Sequence, residues 1–211
     1  VSPMLTRIDE LTRNDHHHLI ASDECYFLGE YTARRGFAYS RTNQLIVNLK
    51  KPLDRRSRPE WRYKENAICE IARQFREAID EAWFNGVTLV PVPPSKTKAD
   101  LLYDDRMLQV IKRLTDGMNA DVRELVVQTK SMAAAHKTDD RPTPDELARN
   151  FEVLEERCEP HPTVIAIIDD VLTTGAHFKA MQMVLTRRFP RVATIGLFAA
   201  RRVLHADDFD P

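Results

Sequence analysis

One run constrains this chain more than any other: Val164-Ile165-Ala166-Ile167-Ile168-Asp169-Asp170-Val171-Leu172-Thr173-Thr174-Gly175. Val164 to Ile168 is continuously apolar, which predicts a strand buried on both faces. Two carboxylates follow, then a hydroxyl-bearing turn with a glycine, then a helical stretch from Ala176 to Arg188. A buried strand that runs through a tight turn into a helix is the repeating unit of an open α/β sheet. Ligands of such sheets bind just beyond the carboxyl ends of the strands.

The second half of the chain alternates in the same way. Val87 to Val92 reads as a short buried strand, Tyr103 to Met118 as a helix and Glu124 to Gln128 as a strand. Ser131 to Pro144 is polar and irregular, Asp145 to Asn150 is helical, and Phe151 to Leu154 and Val192 to Ala199 are strands. Trp61 to Asn85 precedes them as a helix, with Ile68, Ile71, Ala72, Phe75, Ile79 and Ala82 on one face and Asn85-Gly86 as its stop. Together these predict an open, mostly parallel sheet with helices on both faces. Cys25 to Leu49 is rich in strand formers and is broken at Arg35-Gly36 and Thr42-Asn43, which predicts a small N-terminal antiparallel meander. The expected division is residues 1–60, a meander and basic connector, and residues 61–211, the α/β core.

The turn carries the chemistry. A helix N-terminus offers free backbone N–H groups to a phosphate, Gly175 allows close approach, and Thr173 and Thr174 add hydroxyls. Asp169 and Asp170 sit where carboxylates can accept hydrogen bonds from vicinal hydroxyls. An acid pair beside a phosphate cradle describes a sugar phosphate.

This order of residues resembles the signature of the type I phosphoribosyltransferases: an apolar strand, two acids, two variable residues and a Thr/Ser-Thr/Ser-Gly turn. The resemblance implies the type I phosphoribosyltransferase fold, with 5-phosphoribosyl-1-pyrophosphate (PRPP) as ligand and Mg²⁺ as cofactor, the metal carried by PRPP and not held directly by the protein. It further implies that Asp169 and Asp170 engage the ribose hydroxyls, and that Thr173, Thr174, Gly175, Ala176 and His177 hold the 5-phosphate. Where the family usually has Thr or Ser two residues after the glycine, this chain has His177. The family's pyrophosphate loop falls on Ser95, Lys96, Thr97 and Lys98, after the first core strand. Its flexible closing loop falls on Gln128 to Pro142, with Lys130, His136, Lys137 and Arg141 as cations and Lys130 the first choice to cover the leaving group.

From Leu89 to Ala200 the layout is similar to the ComF-type competence proteins. The shared features are the Val90-Pro91-Val92-Pro93 strand end, Arg149-Asn150 and the Asp-Asp-Val-Leu-Thr-Thr-Gly turn. The four-cysteine zinc finger common in that group is absent, and Tyr103-Asp104-Asp105-Arg106 stands in place of its Arg-Gly-Phe-Asn segment. The activity implied is transfer of a 5-phosphoribosyl group from PRPP to a base or other nitrogenous acceptor with release of pyrophosphate. A second implication, of a different class, is a non-catalytic protein of this fold that senses PRPP or a nucleotide, or acts in DNA handling. Relatives frequently form homodimers. The acceptor is not readable from the residues.

Composition bounds the rest. A net charge of -1 gives the whole chain no pull toward nucleic acid or an anionic membrane. The local exception is the basic connector from Lys50 to Lys64, which reads as a solvated linker. Cys25, Cys69 and Cys158 form no paired motif, so neither a zinc site nor a disulfide framework is expected. No apolar stretch reaches the ~18 residues of a membrane span, and Arg7, Asp9, Glu10 and Arg13 break any signal-peptide core. The expectation is a soluble cytoplasmic protein. His16-His17-His18 has no acid or cysteine cluster to complete a metal set. Arg201-Arg202 follow the last strand, near where the resemblance places the acceptor.

Overall fold

The computed structural model describes residues 3–132 and 142–204. Along them run β1 (Thr6–Arg7), α1 (Glu10–Arg13), β2 (Glu24–Thr32), α2 (Arg41–Leu49), α3 (Arg62–Ala78), β3 (Thr88–Pro91) and α4 (Arg106–Leu114). Next come β4 (Asp121–Val122), β5 (Val126–Gln128), α5 (Pro144–Arg149), β6 (Phe151–Val153), β7 (Val164–Leu172), α6 (Ala176–Arg188) and β8 (Ala193–Val203). Among the described residues six strands form one sheet in the order β1-β2-β8-β7-β3-β4. The short β1 is antiparallel to β2, and every other neighbouring pair is parallel. β5 and β6 pair antiparallel in a separate two-stranded sheet.

Helices cover both faces because the central strands are apolar on both. On β7, Ile165 and Ile167 pack with Phe178, Met181 and Leu185 of α6. Ala166 and Ile168, pointing the other way, pack with Ile68, Ile71 and Phe75 of α3 and Val110, Ile111 and Leu114 of α4. β3 and β7 are neighbours, yet the helices that follow them go to opposite faces. The segments that leave their carboxyl ends therefore part, and a crevice opens beyond the sheet at this switch point.

The expected antiparallel meander is corrected. Its first segment is β2, which runs parallel to β8 within the main sheet from Glu24↔Ile195 to Thr32↔Val203. Its last segment is the helix α2. The turn at Gly36 is real, with φ +74°, but Thr42-Asn43 opens a helix. The Ser40 hydroxyl caps the Asn43 N–H at 3.0 Å, and Ile46 and Leu49 bury a helical face that outweighs the strand propensity of Ile46 and Val47. Asn43 is itself buried, donating to the Thr32 carbonyl at 2.8 Å and accepting from the Thr32 N–H at 3.1 Å, so its amide closes the end of β2.

Three boundaries also shift. α3 stops at Ala78 because Ile79 is extended, and the Asp80 carboxylate then caps a separate 3-10 turn over Glu81–Gly86. α4 is shorter than Tyr103–Met118, since Asp100 and Tyr103 close a turn before it. The strand expected at Glu124–Gln128 is β5, which lies outside the main sheet. No helix among the described residues is long and apolar enough to cross a membrane.

Candidate functional site

The crevice at the switch point is a cleft of about 520 Å³. Asp169, Asp170, Thr173, Thr174, Ala176 and His177 line one side of it, and Ser95, Lys96 and Lys98 line another. Segments distant in sequence thus meet in one cavity. Gln128, Met132, Leu147 and Phe151, from around the β5–β6 pair, form a further wall.

Gly175 is the N-cap of α6 at φ +88°, a left-handed conformation that a side chain strains. A Cβ there would also stand 3.0 Å from Cγ and Cδ2 of Leu19. The back of the turn is held by the N-terminal segment. The His16 ring donates from Nδ1 to the Thr173 carbonyl, and the His18 N–H donates to the Thr174 carbonyl at 3.0 Å. His16 is fully buried, and its Nε2 has no hydrogen-bond partner among the described residues. Burial favours the neutral ring and pushes its pKa down. His16 therefore braces the turn, and among the described residues no group of three or more His, Cys, Asp or Glu is placed to hold a metal ion.

The two acids differ. Asp170, 7% exposed at its side chain, accepts from Lys50 Nζ on Oδ1 at 3.0 Å and from Arg106 Nε and Nη2 on Oδ2 at 3.0 and 2.6 Å. Burial alone would raise its pKa, but these two cations outweigh it and the carboxyl lies well below the usual range. Asp169 accepts from the Asp170 N–H on Oδ1 at 2.7 Å, while its Oδ2 faces His177 Nδ1 at 3.8 Å, beyond hydrogen-bond reach. Burial, then the charge of Asp170, push its pKa up.

The loop after β3 is braced by residues 124–132. Ser95 accepts on its carbonyl from the Met132 N–H at 2.7 Å, and the Thr97 N–H donates to Ser131 Oγ at 3.2 Å. Thr97 does not line the cleft. Lys98 pairs with Glu124 at 2.8 Å, and the same carboxylate accepts from Tyr103 Oη at 3.1 Å. Lys130 is exposed and is not among the lining residues. His136, Lys137 and Arg141 lie outside the described residues.

Sequence reasoning missed a charged cluster at the cleft floor. Lys64, 1% exposed, donates to Asp104 at 2.7 Å and to the carbonyls of Leu49 and Lys51 at 2.8 and 3.0 Å. Asp104 accepts from Arg106 Nη1 at 2.7 Å, and Arg106 reaches on to Asp170. One signal was available: Arg106 is the first residue of α4, the end where a helix dipole disfavours a cation, so its charge needed a reason. Arg201 and Arg202, expected to follow the last strand, lie within β8, where Arg201 is buried and paired with Asp15 at 2.8 Å and Glu30 at 2.5 Å. Compared with models of known protein families and with curated proteins, this chain matches none.

Proposed function

We propose that this protein has the type I phosphoribosyltransferase fold and binds PRPP in the cleft, transferring its 5-phosphoribosyl group to a nitrogen nucleophile. The observation that carries the reading is one cavity lined by an acid, a glycine turn at a helix N-terminus and the lysine-bearing β3–α4 loop. Backbone N–H groups at the start of α6 suit the 5-phosphate. Asp169 Oδ2 suits a ribose hydroxyl. In the reaction the bond from C1 to the diphosphate oxygen breaks, a bond from C1 to nitrogen forms, and the acceptor nitrogen gives up a proton. Holding both ends of PRPP aligns C1 for that displacement.

Mg²⁺ fits this site as an ion held by the substrate's own oxygens. The ion keeps much of its shell as phosphate oxygens and water, and a cleft of about 520 Å³ leaves room for an ion that the substrate carries. When bound, it would offset charge on the diphosphate. The residues of the chain orient the sugar and the 5-phosphate.

The test is pyrophosphate release from PRPP and Mg²⁺, with pooled purine and pyrimidine bases as acceptors. Release that depends on a base, and is lost in Asp169→Asn, supports transfer. A second reading, a sensor that binds PRPP without turning it over, draws on the exposed position of Lys130, away from the cleft lining. Binding without release under any acceptor would favour the sensor.

A further inference from the structure

Resting on the phosphoribosyl reading, we infer that Asp170 is not a ribose acceptor but the anchor of an anion subsite, in which Lys50 and Arg106 receive the diphosphate. Consecutive residues of a strand point to opposite faces. Asp169 faces His177 in the first turn of α6 at 3.8 Å, beside the phosphate turn. Asp170 turns instead to Lys50 at the end of α2 and Arg106 at the start of α4.

Both oxygens of Asp170 are already engaged by cations, and its side chain is only 7% exposed. Little of it is left for a sugar hydroxyl. The cations it holds are more open: the Lys50 side chain is 36% exposed and that of Arg106 is 24% exposed, and both line the cleft. Three cations, Lys50, Arg106 and Lys64, meet at Asp170 and Asp104, and only Lys50 and Arg106 of the three reach the cleft.

Lys64 is sealed beneath, while Lys50 and Arg106 line the cavity beside Asp170, together with Lys96 and Lys98. Arg106 is placed at a helix N-terminus, which a cation chosen for stability alone would avoid. An anionic ligand with two phosphate groups complements the arrangement, since a guanidinium and an ammonium in one wall offer several charge-assisted donors at once. Asp170 is then a positioning residue that acts through Lys50 and Arg106.

The test compares three probes by calorimetry in the presence of Mg²⁺: ribose 5-phosphate, inorganic pyrophosphate and PRPP. Lys50→Gln should weaken pyrophosphate and PRPP by about 10-fold or more while leaving ribose 5-phosphate within about 2-fold. Asp170→Asn should follow the same pattern, and Asp169→Asn the opposite one, losing ribose 5-phosphate and sparing pyrophosphate. Arg106→Lys, which keeps the charge, should retain more pyrophosphate affinity than Arg106→Gln. The assignment is overturned if Asp170→Asn weakens ribose 5-phosphate as much as Asp169→Asn does, or if Lys50→Gln leaves pyrophosphate binding intact. Should Asp170→Asn fail to fold, the exposed Lys50 carries the test alone. Wild-type protein that binds pyrophosphate through Lys50 but not ribose 5-phosphate would support the subsite and refute the phosphoribosyl reading. Binding of none of the three would refute both.

Discussion

Asp169 and Asp170 are consecutive residues of β7 whose carboxylates are driven in opposite directions. Asp170 is held ionised by Lys50 and Arg106, while Asp169, largely desolvated next to that fixed charge, is the acid that resists ionisation. Their different partners separate them, and each consequence can be measured.

The pKa of Asp169 is pushed up to about 6 from an ordinary 3.8. The native chain thus holds this proton more tightly than the unfolded chain, so the stability it contributes is complete below pH 3.8 and is lost as pH rises through about 6. Asp170 has the opposite sign: its contribution is present above pH 3.8 and is lost as pH falls through its lowered pKa. Asp169→Asn removes a buried charge and keeps an oxygen for the Asp170 N–H. At pH 8 it should raise Tm by about 2–4 °C, the scale of ~1 kcal/mol in a chain of this size. Scanning calorimetry of the two proteins at pH 8 checks it, and a lowered Tm would contradict it.

Gly175→Ala combines a left-handed backbone with a Cβ 3.0 Å from Leu19. The expected loss is about 1–3 kcal/mol in urea unfolding. Adding Leu19→Ala to both parents should reduce the penalty of Gly175→Ala without removing it, because the steric part is relieved and the backbone part is not.

His16→Ala removes the donor to the Thr173 carbonyl from a fully buried position. Loss of about 1–3 kcal/mol is expected from the orphaned carbonyl and the space left behind. The pKa of His16 is lowered in the native state, so its contribution is present above pH 6.5 and is lost as pH falls below it. Stability of the wild type measured between pH 5 and 8 should therefore fall on the acid side by more than that of His16→Gln.

Lys64→Met leaves Asp104 without its buried partner and removes the donor to two carbonyls. Breaking one side of a buried pair costs about 3–5 kcal/mol. A change below ~1 kcal/mol in urea unfolding would mean that Arg106 alone satisfies Asp104.

The strand, the acid pair, the glycine turn and α6 were legible from Val164 to Arg188, because period, turn chemistry and helix start all agree there. Residues 41–49 were not. Their β-branched content suggested a strand, and the cap from Ser40 and the burial of Ile46 and Leu49 against α3 decided for a helix. The floor of the site was hidden for a different reason. Lys50, Arg106 and Asp170 lie far apart in the chain, and pairing across such distances leaves no local pattern. The same holds for His16, whose role depends on a contact with Thr173 on the far side of the sequence.

The most direct measurement is a calorimetric titration of the wild type and Asp169→Asn with PRPP, with and without Mg²⁺. The proposed function requires saturable, magnesium-dependent binding by the wild type that Asp169→Asn weakens by about 10-fold or more. Absence of binding by the wild type, or equal binding by both proteins, would contradict a phosphoribosyl site at the end of β7.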